Sequence, residues 1–198
     1  MKKAIITLVI SCLFFGALAQ KHKLDHYSLA FTTLHTAFPF SSFSNLFTSE
    51  FHPGFELGTG FNWKNKAKHD WFQDFKFGYS YHRWVQHSIV LYSEFGYRYK
   101  FQKGFSAETK MGAGYLHAIP TGKVFKLQED GSYKKKTNLG RPQAMASFDL
   151  GLGKKFTSGF SIFLDYQQRL QFPFIKSYVP LLPSDMIIIG ASIPIRKK

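Results

Sequence analysis

Large apolar side chains alternate with small or charged residues along this chain, in repeated segments of about ten residues. In the segment 94–101, every second residue is aromatic. The residues between the aromatic positions are polar or small: Glu94, Gly96, Arg98 and Lys100. Successive side chains of a β-strand point to opposite faces, so the pattern predicts a strand with one apolar and one polar face. Such segments, separated by turn residues, are typical of transmembrane β-barrels.

The chain contains eight segments long enough to cross a membrane as tilted strands, which needs about 9–11 residues. They span residues 26–37, 51–63, 71–84, 88–101, 105–119, 143–156, 160–174 and 185–195. Short turns at 65–70, 102–104 and 157–159 alternate mainly with long, proline-containing connections at 120–142 and 175–184 and with the long segment 38–50. Outer-membrane barrels have short periplasmic turns and longer external loops. The sequence therefore predicts an all-β fold, an eight-stranded antiparallel up-and-down transmembrane barrel with both termini in the periplasm.

The N-terminus has the features of a cleaved export signal. A basic start at Met1–Lys3 precedes an apolar stretch at Ala4–Phe15, and Ala17–Ala19 is a small-x-small cleavage site. We expect a signal peptide over residues 1–19 and a single barrel domain over residues 20–198. The only cysteine, Cys12, leaves with the signal, so neither a disulfide nor a thiolate site is expected in the mature chain.

The strand glycines indicate which face of the sheet points inward. All of them fall on the polar face: Gly54, Gly58, Gly60, Gly78, Gly96, Gly112, Gly114, Gly151, Gly153 and Gly190. An eight-stranded barrel has an interior just wide enough for side chains to fill. The many Phe and Tyr residues of the opposite face have too much volume for that interior. This favours aromatic side chains facing lipid over the inverse arrangement of a lipocalin-like soluble barrel.

The inward-facing positions carry equal numbers of acidic and basic residues. They are Glu56, Asp74, Lys76, Glu94, Arg98, Lys100, Glu108, Lys110, Asp149, Lys155, Asp165 and Arg169. Buried charges persist when they are paired and hydrogen-bonded. The balance therefore predicts a closed network of salt bridges in the lumen, since water-filled barrels begin at about 16 strands.

The basic excess of the chain must then lie outside the lumen. Without Lys2 and Lys3, 24 basic residues remain against 12 acidic ones, a formal charge of +12. The longest external connection carries Lys123, Lys126, Lys134, Lys135, Lys136 and Arg141. We expect these residues to contact outer-membrane lipid, the phosphates of lipopolysaccharide or another envelope protein. The alternative is ordinary solvated loop charge, and nucleic acid is not an expected partner of an exported barrel.

Candidate chemistry is confined to the predicted external rim. Histidines cluster there, at His35, His52, His82, His87 and His117, but without zinc-motif spacing, so no metal or other cofactor is expected. A lipid-modifying enzyme would draw on Ser80, His82, His87, Ser88 and Glu94. Their spacing differs from the His-x-Ser-Asn pattern of lipid A deacylases. We therefore expect a non-enzymatic structural or interaction barrel; the alternatives are a lipid-modifying hydrolase or acyltransferase and a narrow transporter.

Four segments resemble an uncharacterised family of small outer-membrane β-barrel proteins. They are Phe51–Trp63, Gly112–His117, Gly140–Gln143 and Tyr166–Phe174. The resemblance extends over nearly all of the mature chain and implies the barrel and a location in the outer membrane of Gram-negative bacteria. It implies no catalytic residues. The chain departs from many such barrels at its C-terminus, which ends in Lys198 and not in an aromatic residue.

Overall fold

The computed structural model describes residues 23–35, 50–122, 124–129, 131–136, 138–174 and 180–195. The strands are β1 (His26–His35), β2 (Pro53–Asn65), β3 (His69–His82), β4 (Gln86–Lys100), β5 (Phe105–Pro120), β6 (Val124–Leu127), β7 (Tyr133–Lys136), β8 (Arg141–Lys155), β9 (Ser161–Phe172) and β10 (Leu182–Pro194). The predicted signal peptide lies outside these residues and stays a prediction. Among the described residues, no helix has the length and apolar character needed to cross a membrane.

Eight of these strands close into a single antiparallel barrel, in the order β1-β10-β9-β8-β5-β4-β3-β2. Closure occurs between β10 and β1, the last and first strands, over the whole length of β1. The observed strand ends differ from the predicted ones by three residues at most. The predicted all-β, eight-stranded antiparallel barrel is therefore confirmed. The start of β1, the end of β10 and the turns after β2, β4 and β8 share one end, which we call periplasmic. The opposite end, which includes the short turn between β3 and β4, is called external.

The outer surface of the barrel is apolar, as the alternation predicts. Leu91, Met111 and Ile189 leave 60%, 68% and 61% of their surface uncovered, although they lie in the middle of strands. A contiguous apolar surface of this kind would be unstable in water, and it matches the lipid-facing band of a membrane barrel.

The glycines face the lumen and make room for rings. A Cβ atom on Gly96 would lie 2.4 Å from the Phe72 ring, and one on Gly190 would lie 2.4 Å from Cζ of the Phe163 ring. The lumen is therefore less polar than the sequence predicts. Besides these rings it contains two apolar clusters, formed mainly by Val90, Leu116, Met145, Ala30, Leu34, Met186 and Ile188. The alternation of apolar and polar residues does not predict these clusters, because a few apolar residues on the mainly polar face leave the period of two unchanged.

Two connections differ from the prediction. The 65–70 turn is shorter, because Lys66 N–H already donates to the His69 carbonyl and β3 begins at His69. Asp70 is consequently a buried strand residue. The predicted loop 120–142 contains a hairpin, β6 paired with β7, which we call the external hairpin.

Candidate functional site

Three ion pairs cross the middle of the lumen. Lys76 Nζ lies 2.6 Å from Glu94 Oε2, and Lys110 Nζ lies 2.5 Å from Asp165 Oδ2. Arg169 donates to Glu56 Oε1 over 3.0 Å. All of these side chains are buried. Each pair joins different strands, so the pairs cross-link the inside of the barrel.

Neutral side chains join two of these pairs, and Lys110 of the third pair lies opposite Asp149 in the register of β5 and β8. Gln167 donates to Glu94 Oε1 and to Asp149 Oδ2, over 3.0 and 3.1 Å, and its own oxygen accepts from Arg169. Tyr92 donates to Glu56 over 2.8 Å. We call this set the lumen network: Glu56, Lys76, Tyr92, Glu94, Lys110, Asp149, Asp165, Gln167 and Arg169. Gln167 and Tyr92 were missed in the sequence because only charged residues were considered there.

The lumen network leaves no open passage at its centre. Glu94, Asp149, Asp165 and Gln167 have no surface accessible to water. Side chains thus occupy the middle of the lumen, and an ion would have to displace them to pass.

A second group of pairs lies nearer the periplasmic end. Arg98 donates to Glu108 over 2.5 Å, and Lys100 Nζ lies 2.7 Å from Asp70 Oδ1. Asp70 was missed in the sequence because it was assigned to a turn. His26 lies 3.5 Å from Asp74.

Lys155 is the predicted lumen residue that the structure places apart. Its side chain is exposed at the periplasmic end of β8. None of the ion pairs among the described residues includes it, so the structure does not bring it into the network.

The residues considered for enzyme chemistry do not converge. Ser80, His82, Ser88 and Glu94 point into the lumen, whereas His87 faces outward, where its Nδ1 lies 2.7 Å from the Tyr79 hydroxyl. No Ser–His hydrogen bond forms among these residues within the described part of the chain. Nucleophilic catalysis needs such a contact between nucleophile and base.

The rim histidines lie at the external end but in separate environments. His52 and His82 stack with ring centroids 3.9 Å apart, and His35 lies edge-on to His52. His87 and His117 each pair with a tyrosine on the outer face. Within the described residues, no group of three or more His, Cys, Asp or Glu side chains has the arrangement of a metal site.

The external hairpin combines exposed aromatic and aliphatic side chains with lysines. Phe125, Leu127 and Tyr133 are each more than half exposed. Exposed Lys135 lies opposite Phe125, and exposed Lys134 lies opposite Lys126 in the register of the two strands. Lys136 occupies the last position of β7. This ribbon presents positive charge beside apolar surface, a combination suited to phosphate groups on a lipid.

Two predicted contact residues are not part of the hairpin. Arg141 begins β8, and its guanidinium carbon lies 5.1 Å from the centre of the Phe174 ring at the external end of the barrel. Lys123 lies outside the described residues. Lys126, Lys134, Lys135 and Lys136 thus belong to the two paired strands of the hairpin, whereas Arg141 belongs to the barrel strand β8.

Barrel residues hold both ends of the hairpin segment. His117 donates from Nε2 to the Leu139 carbonyl over 2.8 Å, while its Nδ1 accepts from the Tyr115 hydroxyl. At the other end, Thr121 N–H donates to the Val85 carbonyl. The hairpin is therefore attached to the rim at two places.

No protein-family model matches the chain, and none of the curated proteins matches it in sequence. Solved structures do match it in fold. Neisserial surface protein A (NspA) is 10% identical, with a TM-score of 0.50, and the match covers 87% of this chain and 96% of that one. This likeness confirms the predicted outer-membrane β-barrel fold, and the predicted outer-membrane location agrees with it.

Two further barrels are similar at lower scores. The outer-membrane enzyme PagL is 15% identical, with a TM-score of 0.49, covering 86% of this chain and 99% of that one. Ail, the attachment invasion locus protein of Yersinia pestis, is 12% identical, with a TM-score of 0.47, covering 87% and 97%. A shared fold does not determine a role, so the role of this chain must be argued from its own residues.

Proposed function

We propose that this protein is a non-enzymatic outer-membrane barrel whose external hairpin contacts the phosphate groups of lipopolysaccharide. The observation that carries the proposal is the grouping of lysines beside exposed Phe125, Leu127 and Tyr133 on one ribbon. Lysine contributes about 1 kcal/mol per residue near an anionic membrane surface. Aromatic side chains favour the boundary between lipid and water.

The attachment of the hairpin supports the same role. The bonds from His117 to Leu139 and from Thr121 to Val85 hold its two ends at the rim. A ribbon held in this way loses less conformational freedom on binding than a free loop would. The barrel below it supplies a rigid membrane anchor.

The alternative functions have less support from the described residues. A narrow transporter requires a passage, whereas the centre of the lumen is filled by buried side chains such as Gln167. A lipid-modifying enzyme requires a nucleophile beside its base, and the candidate serines and histidines do not form that pair.

The test compares two variants with the same change in charge at opposite ends of the barrel. In Lys134→Gln/Lys135→Gln, two exposed hairpin charges are lost; in Lys64→Gln/Lys66→Gln, two exposed periplasmic charges are lost. Binding of phosphorylated lipopolysaccharide to protein in nanodiscs is measured for both. We expect affinity about 30-fold lower for the hairpin variant, since two lysines contribute about 2 kcal/mol, and little change for the periplasmic one.

Dephosphorylated lipopolysaccharide provides the second control. It should bind wild type and hairpin variant equally weakly if the lysines recognise phosphate. Equal affinity of wild type and hairpin variant for the phosphorylated form would contradict the proposal and would favour a protein partner or simple solvation of the lysines.

A further inference from the structure

A small cavity lies at the external end of the lumen, above the lumen network. Ser80 and His82 of β3, Gln86 of β4, and Arg169 and Gln171 of β9 line it. Its free volume is about 10 Å³ for the centre of a water-sized sphere, and it is partly open. This space admits one water-sized group. We call it the mouth cavity.

Three buried donors at this cavity find no hydrogen-bond partner among the described residues. They are Arg169 Nε, Gln171 Nε2 and Ser80 Oγ. Their residues are only 3–4% exposed, so bulk water does not solvate them. Buried polar groups in native proteins are nearly always hydrogen-bonded, and several unpaired donors around one cavity indicate a bound occupant.

Other atoms of the Arg169 and Gln171 side chains have partners. The Arg169 Nη2 atom donates to Glu56 and Gln167, and the Gln171 oxygen accepts from Gln86. Arg169 and Gln171 therefore each have one N–H group without a partner at the cavity, and Ser80 has a hydroxyl without one. The Nδ1 atom of the neighbouring His82 is also without a partner.

Such a set of donors favours an anionic oxygen over a water molecule. A water could donate its two hydrogens to Ser80 Oγ and His82 Nδ1, but it offers the guanidinium only a neutral lone pair. An anionic oxygen brings no hydrogens and accepts charge-assisted bonds from the guanidinium and the amide. Apolar residues such as Leu116 and Leu182 form other parts of the wall and lower the local dielectric.

We propose that the mouth cavity binds one anionic oxygen of a carboxylate or phosphate group, the rest of which remains outside the cavity on the external side. The proposal does not depend on the external hairpin, which would act through surface charge. Loss of lipopolysaccharide binding by the hairpin variant neither supports nor weakens it.

The test observes the donors directly by NMR of nitrogen-15-labelled protein in detergent micelles. Sodium acetate and sodium phosphate are titrated in separate series at constant ionic strength, with acetamide as the neutral analogue of acetate. We expect a saturable shift of the Arg169 Nε–H and Gln171 amide signals with an anion and none with acetamide. Tighter binding of acetate or of phosphate identifies which group the cavity prefers.

Two variants check that the cavity is the binding site. Gln171→Leu and Ser80→Ala each remove one free donor, and each should raise the dissociation constant about 10-fold. Gln73→Leu, the same substitution as Gln171→Leu on the outer face of β3, should leave it unchanged. Heat-modifiable migration on gels verifies that each variant folds; Ser80→Ala, the smaller change, is decisive if Gln171→Leu does not fold.

The absence of a saturable shift with either anion would overturn the proposal. Exchange of magnetisation between the Arg169 Nε–H signal and water would add to that evidence. The cavity would then hold water alone. A dissociation constant unchanged in both donor variants would equally overturn it, because the anion would then bind elsewhere.

Discussion

A single lysine illustrates how this barrel tolerates charge in its interior. Lys76 contacts Glu94 at 2.6 Å and lies 4.0 Å from Glu56, with 6% of its side chain exposed. Transfer of these charges from water is costly, and the gain from pairing roughly offsets the cost. Removal of one partner alone leaves a buried charge without compensation. The same substitution should therefore have different consequences inside the lumen and at its end.

We predict that Lys76→Met lowers the free energy of unfolding by about 3–5 kcal/mol. Lys100→Met should cost about 1 kcal/mol or less, because the Lys100 side chain is 31% exposed and Asp70 keeps Arg98 within 4.0 Å. Urea unfolding in lipid vesicles, followed by tryptophan fluorescence, measures both. Equal losses for the two variants would show that burial does not determine the strength of these pairs.

At the scale of elements, the external hairpin depends on one histidine for its attachment on the β8 side. His117 bonds Tyr115 through one ring nitrogen and the Leu139 carbonyl through the other. His87 also bonds a tyrosine, Tyr79, but no loop carbonyl is bonded to it among the described residues. The two Tyr–His pairs therefore form a matched comparison, because one of them holds the loop and the other does not.

His117→Ala should increase the population of the detached hairpin about 2- to 12-fold, which corresponds to loss of one hydrogen bond worth about 0.5–1.5 kcal/mol. Trypsin cleavage after Lys134 or Lys135 reports this population when opening is fast relative to cleavage. His87→Ala should leave the cleavage rate at the wild-type value. If the two variants are cleaved equally fast, the Leu139 contact does not hold the hairpin.

For the whole molecule, the main consequence of closure is an occluded lumen. Eight strands give an interior that side chains can fill, and here ion pairs, amides and rings occupy it together. The cross-links also connect strands that are not neighbours in the barrel, since Arg169 of β9 bonds Glu56 of β2. This architecture favours a membrane anchor with a rigid interior over a transport channel.

Purified protein in planar lipid bilayers should accordingly give no current above the lipid background. A sixteen-stranded porin inserted by the same procedure serves as the positive control. Incorporation of the barrel is verified by recovering it from the bilayer lipid. Stepwise conductance that scales with protein concentration would contradict the occluded lumen and would favour the transporter alternative.

The local pattern of the sequence was sufficient to predict the eight barrel strands and their faces, but it did not predict β6 and β7. Side chains alternate with a period of two along any strand, so the pattern is independent of which strands become neighbours. Glycines on the polar face further indicated that this face points into the barrel. The strand ends were therefore predictable to within three residues.

Only the tertiary structure decided which charges meet, because partners are far apart in the chain. Lys110 and Asp165 are 55 positions apart, and Glu56 and Arg169 are 113 apart. Their contact depends on how far the strands are shifted relative to one another when the barrel closes. The local alternation of side chains contains no information about that shift. The entry of Asp70 into the lumen and the unpaired donors of the mouth cavity have the same origin.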